Sequence, residues 1–222
     1  MTTAAQPTRV LGRTGLPVTA LGYGAMELRG APRGRDISDE DCRAVLNAVL
    51  DTGINYVDTS IDYGRSERLI GEAIAGRRSE YFLASKCGCV FGSDATQPVG
   101  QRSDHVFTPE NVISGVNGSL ERLRTDYLDL VQFHISPSMQ TLRESGSLEA
   151  LKELQRAGKV RFIGMSGTQP HLADQIASGE FDVFQIPYSA LQRENEALIT
   201  AAAEAGAGVV IRGGVAKGDH SR

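Results

Sequence analysis

The sequence has no apolar run near the ~20 residues that a bilayer-spanning helix needs, which excludes a membrane-spanning helix. It also lacks any cluster of Lys and Arg. With a formal charge of −4 and a pI of about 5.6, that lack argues against nucleic acid or an anionic membrane as a partner. Met1–Thr8 are small and polar, without the basic start and apolar stretch of a signal peptide. Cysteine is scarce: Cys42, Cys87 and Cys89 cannot all pair with one another. An odd count with no export signal predicts reduced thiols and a cytoplasmic location. Cys87-Gly88-Cys89, even taken with His105, is tighter than usual zinc spacings, and no second cysteine pair follows. The two are expected to be loop thiols, and no metal is expected.

What is present suits one domain spanning 1–222. The 222 residues are 41% hydrophobic and 23% charged, enough for one substantial core and ordinary for a globular fold. Val10–Leu11 and Val18–Leu21 flank Gly12, Gly15 and Pro17, which predicts an N-terminal β-hairpin. Leu21–Met26 reads as a glycine-rich first barrel strand. Ser38 and Asp41 resemble a capping box before a helix over Asp39–Asp51, with Val45, Val49 and Leu50 on one side. Apolar segments then alternate with helical ones. The strands are Ile54–Asp58, Tyr81–Lys86, Tyr127–His134, Val160–Ser166, Phe181–Gln185 and Gly208–Arg212. The helices are Ser66–Ala75, a fourth-strand approach from Thr108-Pro109 to Leu123, Ser147–Ala157, Pro170–Ser178 and Glu194–Ala205. Thr108-Pro109 is an N-cap followed by proline at the first helical position. The long Cys87–Phe107 loop reads either as a substrate-facing flap or as a plain connection.

This alternation predicts parallel βα units and a (β/α)8 barrel, an α/β fold, with seven of its eight strands in the chain. A seven-strand barrel leaves an open edge beside its first and seventh strands. The chain therefore reads as part of a longer barrel, or as one whose gap something else covers.

Each strand ends on a polar residue: Asp58, Lys86, His134, Ser166, Gln185 or Arg212. Barrel active sites lie at the strand C-terminal ends, so this row marks an active-site rim. Neighbouring strands are ~4.8 Å apart, close enough for Asp58, Lys86, His134 and the loop residue Tyr63 to converge. An ammonium beside a phenol favours the phenolate, so Lys86 is expected to lower the Tyr63 pKa while Asp58 keeps Lys86 charged. His134 is suited to hydrogen-bond a substrate oxygen. The set serves protonation of a carbonyl oxygen while something else delivers hydride. Taken singly, each residue also fits a structural role: a turn cap, a turn aromatic, a snorkelling lysine, a core histidine.

Val57-Asp58-Thr59-Ser60, Asp62-Tyr63-Gly64 and Ser66-Glu67 closely resemble the aldo-keto reductase signature. So do Ser85-Lys86, Gln132-Phe133-His134, Gly158-Lys159-Val160-Arg161-Phe162-Ile163-Gly164-Met165-Ser166 and Gln185-Ile186-Pro187-Tyr188-Ser189. The motifs run in family order from about Val10 to Gly218. The resemblance implies a (β/α)8 barrel, extended NADPH, no metal, and reduction of an aldehyde or ketone to an alcohol. By position, Tyr63 would be the general acid, tuned by Lys86 and Asp58, with His134 orienting the carbonyl. Ser166 and Gln185 would bind the nicotinamide carboxamide. Tyr188 would belong to the cofactor site, and Arg212, Gly213 and Gly214, with Lys217 and Gly218, would reach the pyrophosphate. Two positions depart from the family: Gly167 replaces a common Asn, and Arg212 stands where a nicotinamide-stacking aromatic is frequent. The family's clamp for the adenosine ribose and its 2′-phosphate lies around an eighth strand not in this sequence.

Two other readings share these residues. One is a reductase-like regulatory or binding subunit docking through the open edge. The other is a redox epimerase or dehydratase using the same cofactor. Tyr23, Met26, Phe91, His105 and the Cys87–Phe107 loop suggest a pocket for a small, moderately apolar carbonyl, and serve equally as core or loop filler.

Overall fold

The computed structural model of the chain describes residues 6–31, 34–92 and 104–214. An antiparallel pair comes first, β1 (Thr8–Val10) and β2 (Pro17–Thr19). Gly12 begins the turn between them with φ +48°, and a Cβ there would lie 2.1 Å from the Gly208 nitrogen. Only glycine tolerates that approach, and it lets the hairpin close on the bottom of the barrel. Arg13 N–H donates to the Gly206 carbonyl at 2.8 Å and secures the contact.

Strands and helices then alternate: β3 (Tyr23–Gly24), α1 (Asp39–Asp51), β4 (Tyr56–Asp58), α2 (Ser66–Ile74) and β5 (Phe82–Cys87). After α3 (Pro109–Leu123) come β6 (Leu128–Phe133), α4 (Met139–Glu144), α5 (Ser147–Arg156) and β7 (Val160–Ser166). The last elements are α6 (Leu172–Ala177), β8 (Val183–Pro187), α7 (Glu196–Glu204) and β9 (Gly208–Arg212). Strands β3 to β9 form one parallel sheet in sequence order. The fold is therefore α/β, a curled seven-strand sheet of barrel type with the predicted N-terminal hairpin. Among the described residues β3 and β9 each pair on one side only.

Alternation along the strands sorts two cores. Leu83, Cys87, Val131, Phe133, Ile163, Met165, Phe184 and Ile186 face the helices. Tyr56, Phe82, Ala84, Leu130 and Val183 face the interior, where Leu11 and Val18 of the hairpin join them. The hairpin thus plugs the end where the strands begin, and the polar strand ends open at the other.

Several boundaries differ from the sequence pattern. The first barrel strand pairs only at Tyr23–Gly24, because the chain bends into a 3-10 turn that buries Ala25 and Leu28 beside α2. Strand β8 starts at Val183 and continues past Gln185 to Pro187, whose register partner is Arg212. On α1 the buried stripe is Cys42, Leu46 and Leu50, spaced by four, whereas Val45 is exposed. Ser38 caps that helix as expected: its Oγ accepts from Asp41 N at 3.0 Å. Thr108 Oγ1 likewise accepts from Asn111 N, at 3.4 Å. Helix α4, capped by Ser138, has too few residues to show a period in the sequence. Of the long loop, residues 93–103 lie outside the described residues.

Candidate active site

Inward-facing positions near the strand ends carry Asp58, Lys86, Gln132, Ser166 and Gln185. Register pairs Lys86 with Gln132 and Ser166 with Gln185. Lys86 is 1% exposed, and its Nζ donates to Asp58 Oδ2 at 2.7 Å and to the Thr59 carbonyl at 2.8 Å. Gln132 Nε2 donates to the other Asp58 oxygen at 3.1 Å. Burial disfavours the ammonium, but Asp58 outweighs it, with Tyr63 and Asp62 adding to the effect, and the Lys86 pKa is raised. Gln132 stood in a family motif but was given no site role from sequence. Its two-residue spacing from His134, which directly follows β6, was the available signal.

Tyr63 sits in the turn that leaves β4. Its N–H donates to the Ser60 carbonyl at 3.1 Å, and its own carbonyl accepts from Ser66 N at 2.9 Å. These bonds hold the ring over Lys86, whose Nζ lies 4.9 Å from the ring centre. The His134 ring stands edge-on to it, with centroids 6.4 Å apart. Asp58, Tyr63, Lys86 and His134 are therefore brought together. The expected lowering of the Tyr63 pKa is not what the site produces. Burial dominates and raises it, with Lys86 pulling the other way. The residue is held as a neutral phenol. Burial also drives His134 down, to about 3, against the attraction of Asp62, so its ring is neutral at physiological pH.

The two loop cysteines differ. Cys87 is the last residue of β5 and faces the helices, fully buried. Cys89 is buried at the rim, its Sγ 3.2 Å from His134 Nδ1. Beside it, His105 Nε2 is also 3.2 Å from His134 Nδ1. Neither thiol belongs to an exposed loop, because Cys89 and His105 join in an antiparallel bridge that closes the loop's base against the barrel.

A cavity of about 910 Å³ opens above this group and runs along the gap between β3 and β9. Tyr23, Met26, Asp58, Tyr63, His105, His134, Ser166, Gln185, Arg212 and Gly213 line it. Phe91 does not. It is 60% exposed, with the Arg122 guanidinium 4.2 Å from its ring centre, outside the cavity. The Tyr188 backbone, by donating to the Arg212 carbonyl at 3.2 Å, stands behind that wall, and Gly214 follows it. Lys217 and Gly218 lie outside the described residues. Ser166 Oγ donates to Gln185 Oε1 at 3.4 Å. At Gly167 a Cβ would come within 2.7 Å of Leu172 Cδ1, so a side chain there needs that leucine to move.

Residues 20–221 match the model of the Aldo/keto reductase family. The chain belongs to that family. It is 31% identical over 213 residues to "Uncharacterized oxidoreductase YqkF" of Bacillus subtilis (strain 168), covering 95% of this chain and 65% of that protein. It is 34% identical over 185 residues to L-galactose dehydrogenase of Arabidopsis thaliana, covering 79% and 54% of the two chains. Against the NADH-specific methylglyoxal reductase of Escherichia coli (strain K12) it is 31% identical over 203 residues, covering 85% and 61%. The chain thus spans between 54% and 65% of the length of these relatives. Among solved structures, the holo form of the aldo-keto reductase AKR11C1 from Bacillus halodurans superposes with a TM-score of 0.82 at 31% identity, over 96% of this chain and 68% of that one.

Proposed function

We propose that this protein reduces a small aldehyde or ketone to an alcohol, with NADPH as the hydride source and Tyr63 as the proton source. The observation that carries the reading is the buried Asp58–Lys86 pair beneath the Tyr63 ring. A buried ammonium donating to two anchored acceptors is costly to assemble unless it serves a charge that forms later.

The neutral donors at Ser166 and Gln185 suit a carboxamide, and the cavity has the size of a ligand site. These residues would hold the nicotinamide, with Arg212 and Gly213 along the same wall. When bound, the cofactor supplies hydride to the carbonyl carbon. Tyr63 passes its hydroxyl proton to the carbonyl oxygen. The resulting phenolate is stabilised by Lys86, which Asp58 and Gln132 keep charged and immobile. A raised phenol pKa keeps the proton on Tyr63 until the carbonyl oxygen becomes basic. His134, as a neutral ring, orients that oxygen without placing a second full charge beside Lys86.

The test is consumption of NADPH by the purified chain with a panel of small aldehydes and ketones. Aldehyde-dependent consumption that yields the alcohol supports the reading. Tight NADPH binding with no turnover on any carbonyl would favour a binding subunit instead.

A further inference from the structure

We propose that Asp62, Cys89, His105 and His134 form a four-coordinate zinc site at the barrel rim. One ligand atom from each lies within 4.8 Å of every other. Around His134 Nδ1, the Cys89 Sγ and His105 Nε2 are each 3.2 Å away, and Asp62 Oδ1 is 3.7 Å away. Tetrahedral zinc with bonds of about 2.0–2.3 Å separates its ligand atoms by about 3.3–3.6 Å. The three separations from His134 Nδ1 fall near that range, and the other three are within 4.8 Å.

Hydrogen bonding at His134 Nδ1 serves one of its two close neighbours at a time. A ring nitrogen carries either one hydrogen or one lone pair in the ring plane. His134 Nδ1 therefore cannot bond both Cys89 and His105 well, yet both stand at the same distance. A cation at the centre satisfies all four groups together. Its charge would be balanced by the Asp62 carboxylate and the Cys89 thiolate, whose proton is released to solvent on binding.

The support around the ligands is built in. Ser60 Oγ donates to Asp62 Oδ1 at 2.5 Å and lies 3.6 Å from Cys89 Sγ. Val106 N donates to the Gly88 carbonyl at 2.7 Å, and Val90 N to that of Asp104 at 2.9 Å, so the segments carrying Cys89 and His105 are held together. Asn111 Nδ2 reaches the Cys89 and Val106 carbonyls from α3. Four protein ligands leave no open coordination position, which is the pattern of a structural metal. The sequence hid the site because its ligands come from three separate segments and Cys87 is not one of them. Metal binding does not depend on the proposed reaction. One consequence does rest on that reading: a metal on Nδ1 leaves the hydrogen of His134 on Nε2, where it can serve a substrate oxygen.

The test is titration of the chelator-treated full chain with Co2+, followed by Zn2+. The expected result is saturation at a single equivalent, with thiolate-to-cobalt charge-transfer absorption and tetrahedral visible bands, all bleached by Zn2+. Cys89→Ala should abolish the charge-transfer absorption. His105→Ala, on the loop, should weaken binding by more than the ~100-fold that an outer partner can cost. Cys42→Ala, on α1, should leave the spectrum unchanged. Circular dichroism checks that each variant folds, and His105→Ala decides if Cys89→Ala does not. No saturable binding with a sulfur band, or an unchanged affinity in folded His105→Ala, overturns the proposal.

Discussion

Lys86 Nζ lies 2.7 Å from Asp58 Oδ2 inside the barrel, on adjacent strands, with the lysine fully buried and the carboxylate at the cavity edge. An ammonium buried this fully depends on its partner: removing Asp58 leaves a charge with almost no access to water. The same pair sits under the Tyr63 ring, so a test of stability there is also a test of the proposed chemistry.

Replacing Lys86 by Met should lower stability by about 3–5 kcal/mol, because Asp58 keeps only its bond from Gln132. Adding Asp58→Asn should restore most of that loss without restoring turnover. Urea unfolding of the single and double variants reads the first effect, and NADPH consumption the second. Equal stability of Lys86→Met and the parent would contradict the account of the pair.

Tyr63→Phe keeps the ring and removes the proton. Turnover should fall by ~10²–10⁴, the usual range for a lost general acid, while cofactor affinity stays the same. Steady-state kinetics beside a fluorescence titration of NADPH separate the two. A variant with parental turnover removes Tyr63 from the mechanism.

Helix α2 packs closely on α3 at Gly71, where a Cβ would stand 2.2 Å from the Arg122 carbonyl oxygen. Gly71→Ala should therefore destabilise by roughly 1–3 kcal/mol through overpacking, although alanine is the better helix former. Thermal unfolding gives the sign at once. A stabilised variant would mean that the helices separate freely there.

Glu67 is buried beside this contact, accepting from Ser85 Oγ at 2.7 Å and from Arg122 Nε at 2.8 Å. Arg122→Ala strands the carboxylate and should cost about 3–5 kcal/mol, whereas Arg122→Ala with Glu67→Gln should cost much less. A double-mutant cycle by urea unfolding measures the coupling, and additive effects would show that the pair is not coupled.

Helices α1 and α2 are joined by an ionic chain at the surface. Arg68 lies 3.0 Å from Asp39 and 2.9 Å from Glu72, and Arg43 lies 2.8 Å from Glu72. The hydrogen bond from Arg68 holds the Asp39 carboxyl below its usual range, and that from Arg43, with Arg68, does the same for Glu72. Because both folded-state pKa values are depressed, this stabilisation is complete above the ordinary carboxylate range of about 4 and is lost as pH falls through the lower folded values. The urea midpoint should drop as pH falls from about 5 through the depressed folded values. Asp39→Asn with Glu72→Gln should lower the neutral midpoint and flatten that drop, and high salt should mimic it in part. A double variant with the full parental pH dependence would place the acid sensitivity elsewhere.

Much of the architecture could be read along the chain because its signals are local. Short apolar segments between helical ones located the strands, Ser38 and Thr108 marked helix starts through their own hydroxyls, and Asp58, Lys86 and His134 fell at strand ends by counting. Where neighbours decide, the same rules misled. Val45 looked core-facing until α1 turned Cys42, Leu46 and Leu50 inward against the sheet. Gln185 ended the apolar pattern, but the ladder to β9 carried β8 on to Pro187.

The order of residues along the chain determined the parallel βα alternation, the rim of polar strand ends and the family motifs. Each of these depends on spacing within a few residues. Only the folded molecule decided that burial outweighs Lys86 in setting the Tyr63 phenol, because desolvation counts every atom around a group and not its sequence neighbours. Only it brought Asp62, Cys89, His105 and His134 within reach of one cation, since closeness between distant segments is a property of the closed sheet and of the bridge at the base of its loop.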